Sequence, residues 1–155
     1  NPAEADVELL GVYSEELVEP MAHVLDKLGV KRALVVYGQD RLDEISLSAP
    51  TTVMEVNQGT FTRYELTPEQ FDMKRCDKSE LVGGDGAQNA QITESILKGE
   101  CTDAKAEAVI LNAGAGIYLM GGADSIAAGI QKARETIANG KAYEKLLQFV
   151  ALTNA

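Results

Sequence analysis

A chain of 155 residues is long enough for one domain with a hydrophobic core. Its 24 acidic and 14 basic residues give a net charge of −10, which argues against nucleic acid or an anionic membrane as a partner, because both require a basic surface. The longest apolar stretch, residues 108–123, is too short and too interrupted by glycine to span a bilayer. Two cysteines without metal-ligand spacing, Cys76 and Cys101, favour a reduced, cytoplasmic setting.

The first forty residues predict a βαβ unit. Residues 7–13 form a short apolar run typical of a strand, and Ser14 can cap the helix that follows. Apolar residues then recur at helical spacing until Gly29, which ends the helix. Residues 33–37 form the next strand, and the short connections predict that the two strands are parallel.

A hairpin is predicted next. Residues 51–56 and 60–66 have strand character, and Asn57-Gln58-Gly59 between them has the composition of a tight turn. Thr67-Pro68-Glu69-Gln70 is a capping box with proline at the first helical position, which predicts a short helix through Met73.

The remainder of the chain predicts about four helices. Asp85 can cap a helix that runs through Leu97, and residues 104–120 are apolar on nearly every face, as in a helix buried between layers. The β-branched residues at 109–111 leave a strand possible there. Ser125 can cap a third helix, and apolar residues between 143 and 150 line a last one. The predicted fold class is therefore α/β, with a mixed, partly parallel sheet flanked by helices in a single domain over residues 1–155.

The acidic pair Asp43-Glu44 is the best candidate for chemistry. It follows the predicted strand 33–37 by a few residues, and ligands of open α/β sheets bind outside the carboxyl ends of strands. Carboxylate oxygens suit a hard cation such as Mg2+, which usually bridges to substrate phosphates. The alternative is a solvated acidic loop without a ligand.

Other motifs have simpler explanations. The turn Gly83-Gly84-Asp85-Gly86 could cradle a phosphate, but a glycine-rich turn that ends in a helix cap is favoured, since Asp85 would repel an anion. Asn112 could orient a ligand or make one buried hydrogen bond. His23, the single histidine, is expected to be a half-exposed helix residue. The serine hydroxyls have no credible histidine and aspartate partners for a catalytic triad; they belong to Ser46, Ser48 and Ser79.

Taken in order along the chain, several segments resemble anthranilate phosphoribosyltransferase. The resemblance covers essentially the whole chain and corresponds to the carboxy-terminal part of that enzyme family, with Leu42-Asp43-Glu44-Ile45-Ser46 as its most specific segment. Phe71-Asp72 departs from it, standing where the family commonly has Phe-Gly. The other matching segments are Asn1-Pro2-Ala3, Leu10-Gly11-Val12-Tyr13-Ser14, Val35-Val36-Tyr37-Gly38, Pro50-Thr51, residues 64–71, Gly83-Gly84 with Asn89-Ala90, Leu97-Lys98-Gly99, and Leu111-Asn112-Ala113.

The resemblance implies the larger α/β domain of a nucleoside phosphorylase or phosphoribosyltransferase type of catalytic fold. It implies an enzyme that transfers the ribosyl phosphate of phosphoribosyl pyrophosphate to the amine of anthranilate in tryptophan biosynthesis. It further implies that Asp43 and Glu44 bind Mg2+, and that the parent enzyme is a homodimer joined through an amino-terminal helical domain.

The family's glycine-rich pyrophosphate loop and its other substrate contacts correspond to positions before Asn1. Because the sequence begins at Asn1-Pro2-Ala3 without methionine, we expect a piece of a longer polypeptide, inactive by itself. Two alternatives are a domain like that of pyrimidine-nucleoside phosphorylase, which would use phosphate as nucleophile, and a non-catalytic binding domain on the same scaffold.

Overall fold

The computed structural model describes residues 4–154, and within them the chain forms four strands and five α-helices. Three single turns of 3-10 helix, at Glu15–Leu17, Pro68–Phe71 and Lys78–Leu81, lie between these elements. The strands are β1 (Val7–Gly11), β2 (Arg32–Gly38), β3 (Thr51–Asn57) and β4 (Thr60–Leu66). The helices are α1 (Val18–Lys27), α2 (Gly86–Leu97), α3 (Ala104–Leu119), α4 (Ile126–Ala138) and α5 (Lys141–Thr153).

The strands form one sheet in the order β1-β2-β3-β4. β1 and β2 are parallel, as the βαβ prediction requires, with Leu9 opposite Leu34, and the other two pairings are antiparallel. The turn between β3 and β4 consists of Gln58 and Gly59, whose φ angles of 48° and 81° are those of a tight hairpin turn. The predicted mixed, partly parallel sheet is thus confirmed.

Both faces of the sheet are covered. Alternate residues of β2 point to opposite sides: Ala33 and Val35 join the cluster under α1, while Leu34 and Val36 join the larger cluster under α3 and α4. This two-sided burial explains why β2 is an almost continuous apolar run rather than an alternating one. β4 lies at the edge of this four-stranded sheet and is largely exposed.

Three predictions about local structure need correction. The first strand ends at Gly11 rather than Tyr13, and the Ser14 side chain caps no helix: the residue precedes a single 3-10 turn and makes no capping hydrogen bond. The capping box that begins at Thr67 forms, but it starts one 3-10 turn rather than a helix through Met73. Asp72 ends that turn with a φ of 56°, a left-handed conformation that glycine adopts freely and aspartate tolerates.

The four carboxy-terminal helices are confirmed. Asp85 and Ser125 cap α2 and α4 through their side chains, accepting hydrogen bonds from Gln88 N and Ala128 N. Residues 109–111 are helical, which removes the strand alternative. α3 packs against both the sheet and α4, as its apolar surface predicts. Among residues 4–154, no helix has the length and apolar character needed to cross a membrane.

Candidate metal site

Asp43 and Glu44 lie in the loop between β2 and β3, at the carboxyl end of β2. The chain reverses just before them: Arg41 N donates to Gly38 O at 2.7 Å, and Gly38 N donates to Leu42 O at 2.8 Å. Arg41 itself has a φ of 69°. This turn delivers both acids to a bend in which each side chain is exposed to solvent.

The residue that follows the acids is held from a distant helix. Ile45 is buried, and Asn112 of α3 bonds to its main chain twice. Ile45 N donates to Asn112 Oδ1 at 3.0 Å, and Asn112 Nδ2 donates to Ile45 O at 2.9 Å and to Ala108 O at 3.0 Å. The Asn112 side chain therefore makes three hydrogen bonds, where the sequence predicted a single buried one.

A second anchor in the loop is Asp40, which the sequence analysis did not single out. Its Oδ2 accepts hydrogen bonds from the hydroxyls of Ser46, at 2.9 Å, and of Ser48. Partial burial acts to raise the pKa of Asp40, but these hydrogen bonds, aided by its own backbone and the positive charge of Lys78, outweigh burial and lower the pKa. Asp40 is therefore ionised at neutral pH and fixes the loop. The hydroxyls of Ser46 and Ser48 donate to it and have no histidine partner in this network.

Gly11, at the end of β1, is the third residue that constrains the position of the acidic pair. The α-carbon of Gly11 lies so close to the main chain of Asp43 that a β-carbon there would come within 1.5 Å of the Asp43 carbonyl oxygen. Only glycine permits this approach. The position of Asp43 therefore depends on a residue of β1 as well as on its own loop.

Beside the acids is a cavity of about 760 Å³. Its lining includes both acids, Asn112 and Lys105 of α3, and Asn89 of α2. Lys105 Nζ donates to Glu80 O at 2.7 Å. The cavity thus combines carboxylate, amide and ammonium groups with an apolar floor, as a binding site for a polar small molecule requires.

The donor set of Asp43 and Glu44 fits Mg2+. Among residues 4–154, no three carboxylate, imidazole or thiol groups are assembled to hold a metal ion. Mg2+ does not need such a cage, because it keeps several waters and is commonly held by one or two carboxylates together with substrate phosphates. Two exposed oxygen donors at a strand end meet that requirement, while they would not suit a structural zinc ion.

The glycine-rich turn before α2 does not offer an anion site. Gly84 N donates to Asn89 Oδ1 at 2.8 Å, and Asp85 N donates to Gln88 Oε1 at 2.9 Å. Asp85 in turn caps α2. The N–H groups of Gly84 and Asp85, which a phosphate loop would need, are already bonded, and this confirms the helix-cap interpretation.

The remaining chemical side chains lie in ordinary surroundings. His23 is exposed on α1, and its ring lies 4.2 Å from that of Phe61. Cys76 and Cys101 are both free. Burial raises the pKa of the Cys76 thiol. A backbone hydrogen bond at Asp103 lowers the pKa of the Cys101 thiol, but burial and the Asp103 carboxylate outweigh it and raise that pKa. A raised thiol pKa disfavours the reactive thiolate. None of the three is grouped with the acidic pair.

These observations describe an α/β domain with an oxygen-donor site at a strand end, and residues 1–143 match the family described as "Glycosyl transferase family, a/b domain". The chain belongs to this family. Over all 155 residues it is 50% identical to an anthranilate phosphoribosyltransferase of Methanobrevibacter smithii, of which it covers 46%.

Solved structures agree with this relationship. The crystal structure of anthranilate phosphoribosyltransferase from Thermus thermophilus aligns with a TM-score of 0.85 and 42% identity, over 94% of this chain and 42% of that one. The enzyme from Saccharomyces cerevisiae in complex with PRPP and Mg aligns with a TM-score of 0.85 and 27% identity, with the same coverage. The resemblance inferred from the sequence is thus confirmed, and the chain spans less than half the length of these relatives.

Proposed function

We propose that this chain is the carboxy-terminal α/β portion of an anthranilate phosphoribosyltransferase, in which Asp43 and Glu44 bind Mg2+. The parent enzyme transfers the phosphoribosyl group of phosphoribosyl pyrophosphate to the amine of anthranilate and releases pyrophosphate. The observation that carries the proposal is the pair of exposed carboxylates at the carboxyl end of β2, beside a polar cavity, in a chain 50% identical to a relative of that name.

The chemistry of the residues supports this role. A domain with a net charge of −10 repels pyrophosphate, and a cation held by two carboxylates removes that obstacle. When bound, Mg2+ supplies positive charge to the departing pyrophosphate. The part played by this chain is to fix the two carboxylates: Asn112 and Asp40 hold the loop from either side, so that the donors need little rearrangement when they bind.

We further propose that residues 1–155 form one α/β domain, and that the parent is a cytoplasmic homodimer joined through a helical domain outside this chain. Two hydrophobic clusters on opposite faces of a single sheet support the first statement. The length of the relatives supports a further portion of the parent outside this chain, because more than half of each relative lies outside the matched region. For the same reason we expect the 155-residue chain alone to be inactive.

The test measures consumption of anthranilate with phosphoribosyl pyrophosphate as a function of Mg2+ concentration. It uses the 155-residue chain alone, and then the chain joined to the amino-terminal portion of the Methanobrevibacter smithii relative. We expect activity only in the joined protein. The variant with Asp43→Asn and Glu44→Gln should lose most of that activity at low Mg2+, since both ligands lose their charge.

The matched control replaces two exposed acids near α1, with Glu16→Gln and Glu19→Gln, which changes the net charge by the same amount. It should leave the Mg2+ dependence unaltered. Equal Mg2+ dependence in the Asp43/Glu44 variant and the wild-type protein would refute the metal assignment. Phosphorolysis of thymidine or uridine, without transfer to anthranilate, would favour the phosphorylase alternative instead.

A further inference from the structure

Asn112 holds the loop that carries the acidic pair but is not itself one of the two acids. Its side chain makes three hydrogen bonds, two of them to the main chain of Ile45, the residue next to Glu44. Asn112 and Ile45 are 67 positions apart in the sequence, so this contact joins α3 to the loop after β2. An amide is the group that can do this, because it offers an acceptor to N–H and a donor to C=O at once.

The two bonds fix the plane of the main chain at Ile45. The Ile45 side chain is only 2% exposed and sits in the cluster under α3 and α4, which prevents it from turning. On the other side of the acids, Leu42 O accepts from Gly38 N at 2.8 Å. The main chain is therefore held immediately before Asp43 and immediately after Glu44.

Asn112 also has a second partner on its own helix, since Nδ2 donates to Ala108 O. This bond to the residue one turn earlier fixes the amide on α3, so the side chain has little freedom to release Ile45. The helix in turn is packed against the sheet and α4 through Leu111 and Ala115, which are fully buried. The rigidity of the core is thus transmitted to a loop that is exposed at its tip.

We propose that Asn112 is a positioning residue for the cation site, one that holds the carboxylates of Asp43 and Glu44 in the arrangement that binds Mg2+. The proposal rests on the proposed function, because it requires the acidic pair to be the metal site. Residues that orient metal ligands without binding the metal themselves commonly raise the affinity of the site for the metal tenfold or more. The neutral amide of Asn112 does this without adding a charge that competes for the ion.

The experiment is an NMR titration of the isotope-labelled 155-residue chain with Mg2+, following the amide resonances of Asp43, Glu44 and Ile45. In Asn112→Ala we expect Mg2+ affinity to fall roughly tenfold and the Ile45 amide to exchange with solvent faster. Asn112→Asp retains the acceptor for Ile45 N–H but loses the donor to Ile45 O. It should keep slow exchange at Ile45, because the acceptor for Ile45 N–H is retained.

A general loss of stability is separated from loss of positioning by Ile130→Val. This change trims a buried residue of α4 and lowers stability without touching the loop, and Mg2+ affinity should stay within about twofold of wild type, well short of the tenfold effect of lost positioning.

Asp43→Asn serves as the reference for the site itself. If Asp43→Asn weakens Mg2+ binding and Asn112→Ala does not, the positioning role is refuted and the proposed function stands. If the wild-type chain shows no response to Mg2+, either alone or with inorganic pyrophosphate added, while Ile45 exchange still accelerates in Asn112→Ala, the metal site itself is refuted, and Asn112 is then only a structural residue of the loop.

Discussion

Substitution of Gly11 by alanine tests how tightly β1 constrains the acidic pair. The added β-carbon would lie 1.5 Å from Asp43 O and 2.4 Å from Asp43 C, both of them main-chain atoms. An ordinary contact is at least 3.4 Å, so the added β-carbon and Asp43 O must move apart by about 1.9 Å. No side-chain rotation can relieve the overlap, and the loop or the end of β1 has to move.

We expect Gly11→Ala to lower the free energy of unfolding by about 1–3 kcal/mol, the usual cost of forcing extra volume into a packed site. The displaced loop should also bind Mg2+ at least about tenfold more weakly, since the ligands are no longer held in place. Urea denaturation measures the first effect, and an NMR titration of the Asp43 and Glu44 amides measures the second.

Gly116→Ala is the matched control. Gly116 lies within α3, and a β-carbon there would meet no atom within 4 Å. Because glycine is a poor helix former, the free energy of unfolding of this variant should rise by about 0.5–1 kcal/mol. Its Mg2+ affinity should equal that of the wild-type chain. If Gly11→Ala unfolded at the same urea concentration as wild type, with an unshifted Asp43 amide, the argument from close approach would be wrong.

Three further changes test other parts of the structure. Gly129→Ala would place a β-carbon 2.1 Å from Gly114 O where α4 crosses α3, and urea denaturation should show a loss of about 1–3 kcal/mol; an unchanged midpoint would contradict the close crossing. Arg41→Gly should raise stability by about 0.5–1 kcal/mol, because the φ of 69° strains a side chain; a loss would show that the arginine makes compensating contacts. The hydrogen bond from Tyr118 to Glu55, with burial, raises the pKa of Tyr118. Stability should therefore hold below the ordinary tyrosine pKa of about 10 and fall as pH rises above it, and Tyr118→Phe should lessen this fall in denaturation measured from about pH 8 to about pH 12.

The predictions that the structure confirms are mostly local. Helix caps and stops act over a few residues: Asp85 and Ser125 cap helices as expected, and Gly29 has the left-handed φ, 85°, of a residue that ends a helix. The prediction that Ser14 caps a helix was wrong for an equally local reason. Its side chain has the right chemistry, but the chain there makes a 3-10 turn before α1 and leaves the cap unused.

The sequence by itself determined most of the elements, the parallel pairing of the first two strands and the family, and it singled out Asp43 and Glu44 as the acids to test. Those features depend on periodicity, on short connections and on residues adjacent in the chain. Only the tertiary structure decided what holds the acids. Gly11 of β1 lies against the main chain of Asp43, and Asn112 of α3 bonds to Ile45, the residue after Glu44. Contacts between residues so far apart in the sequence obey no spacing rule. They exist because burial of Ile45 and the packing of α3 on the sheet bring these groups into contact.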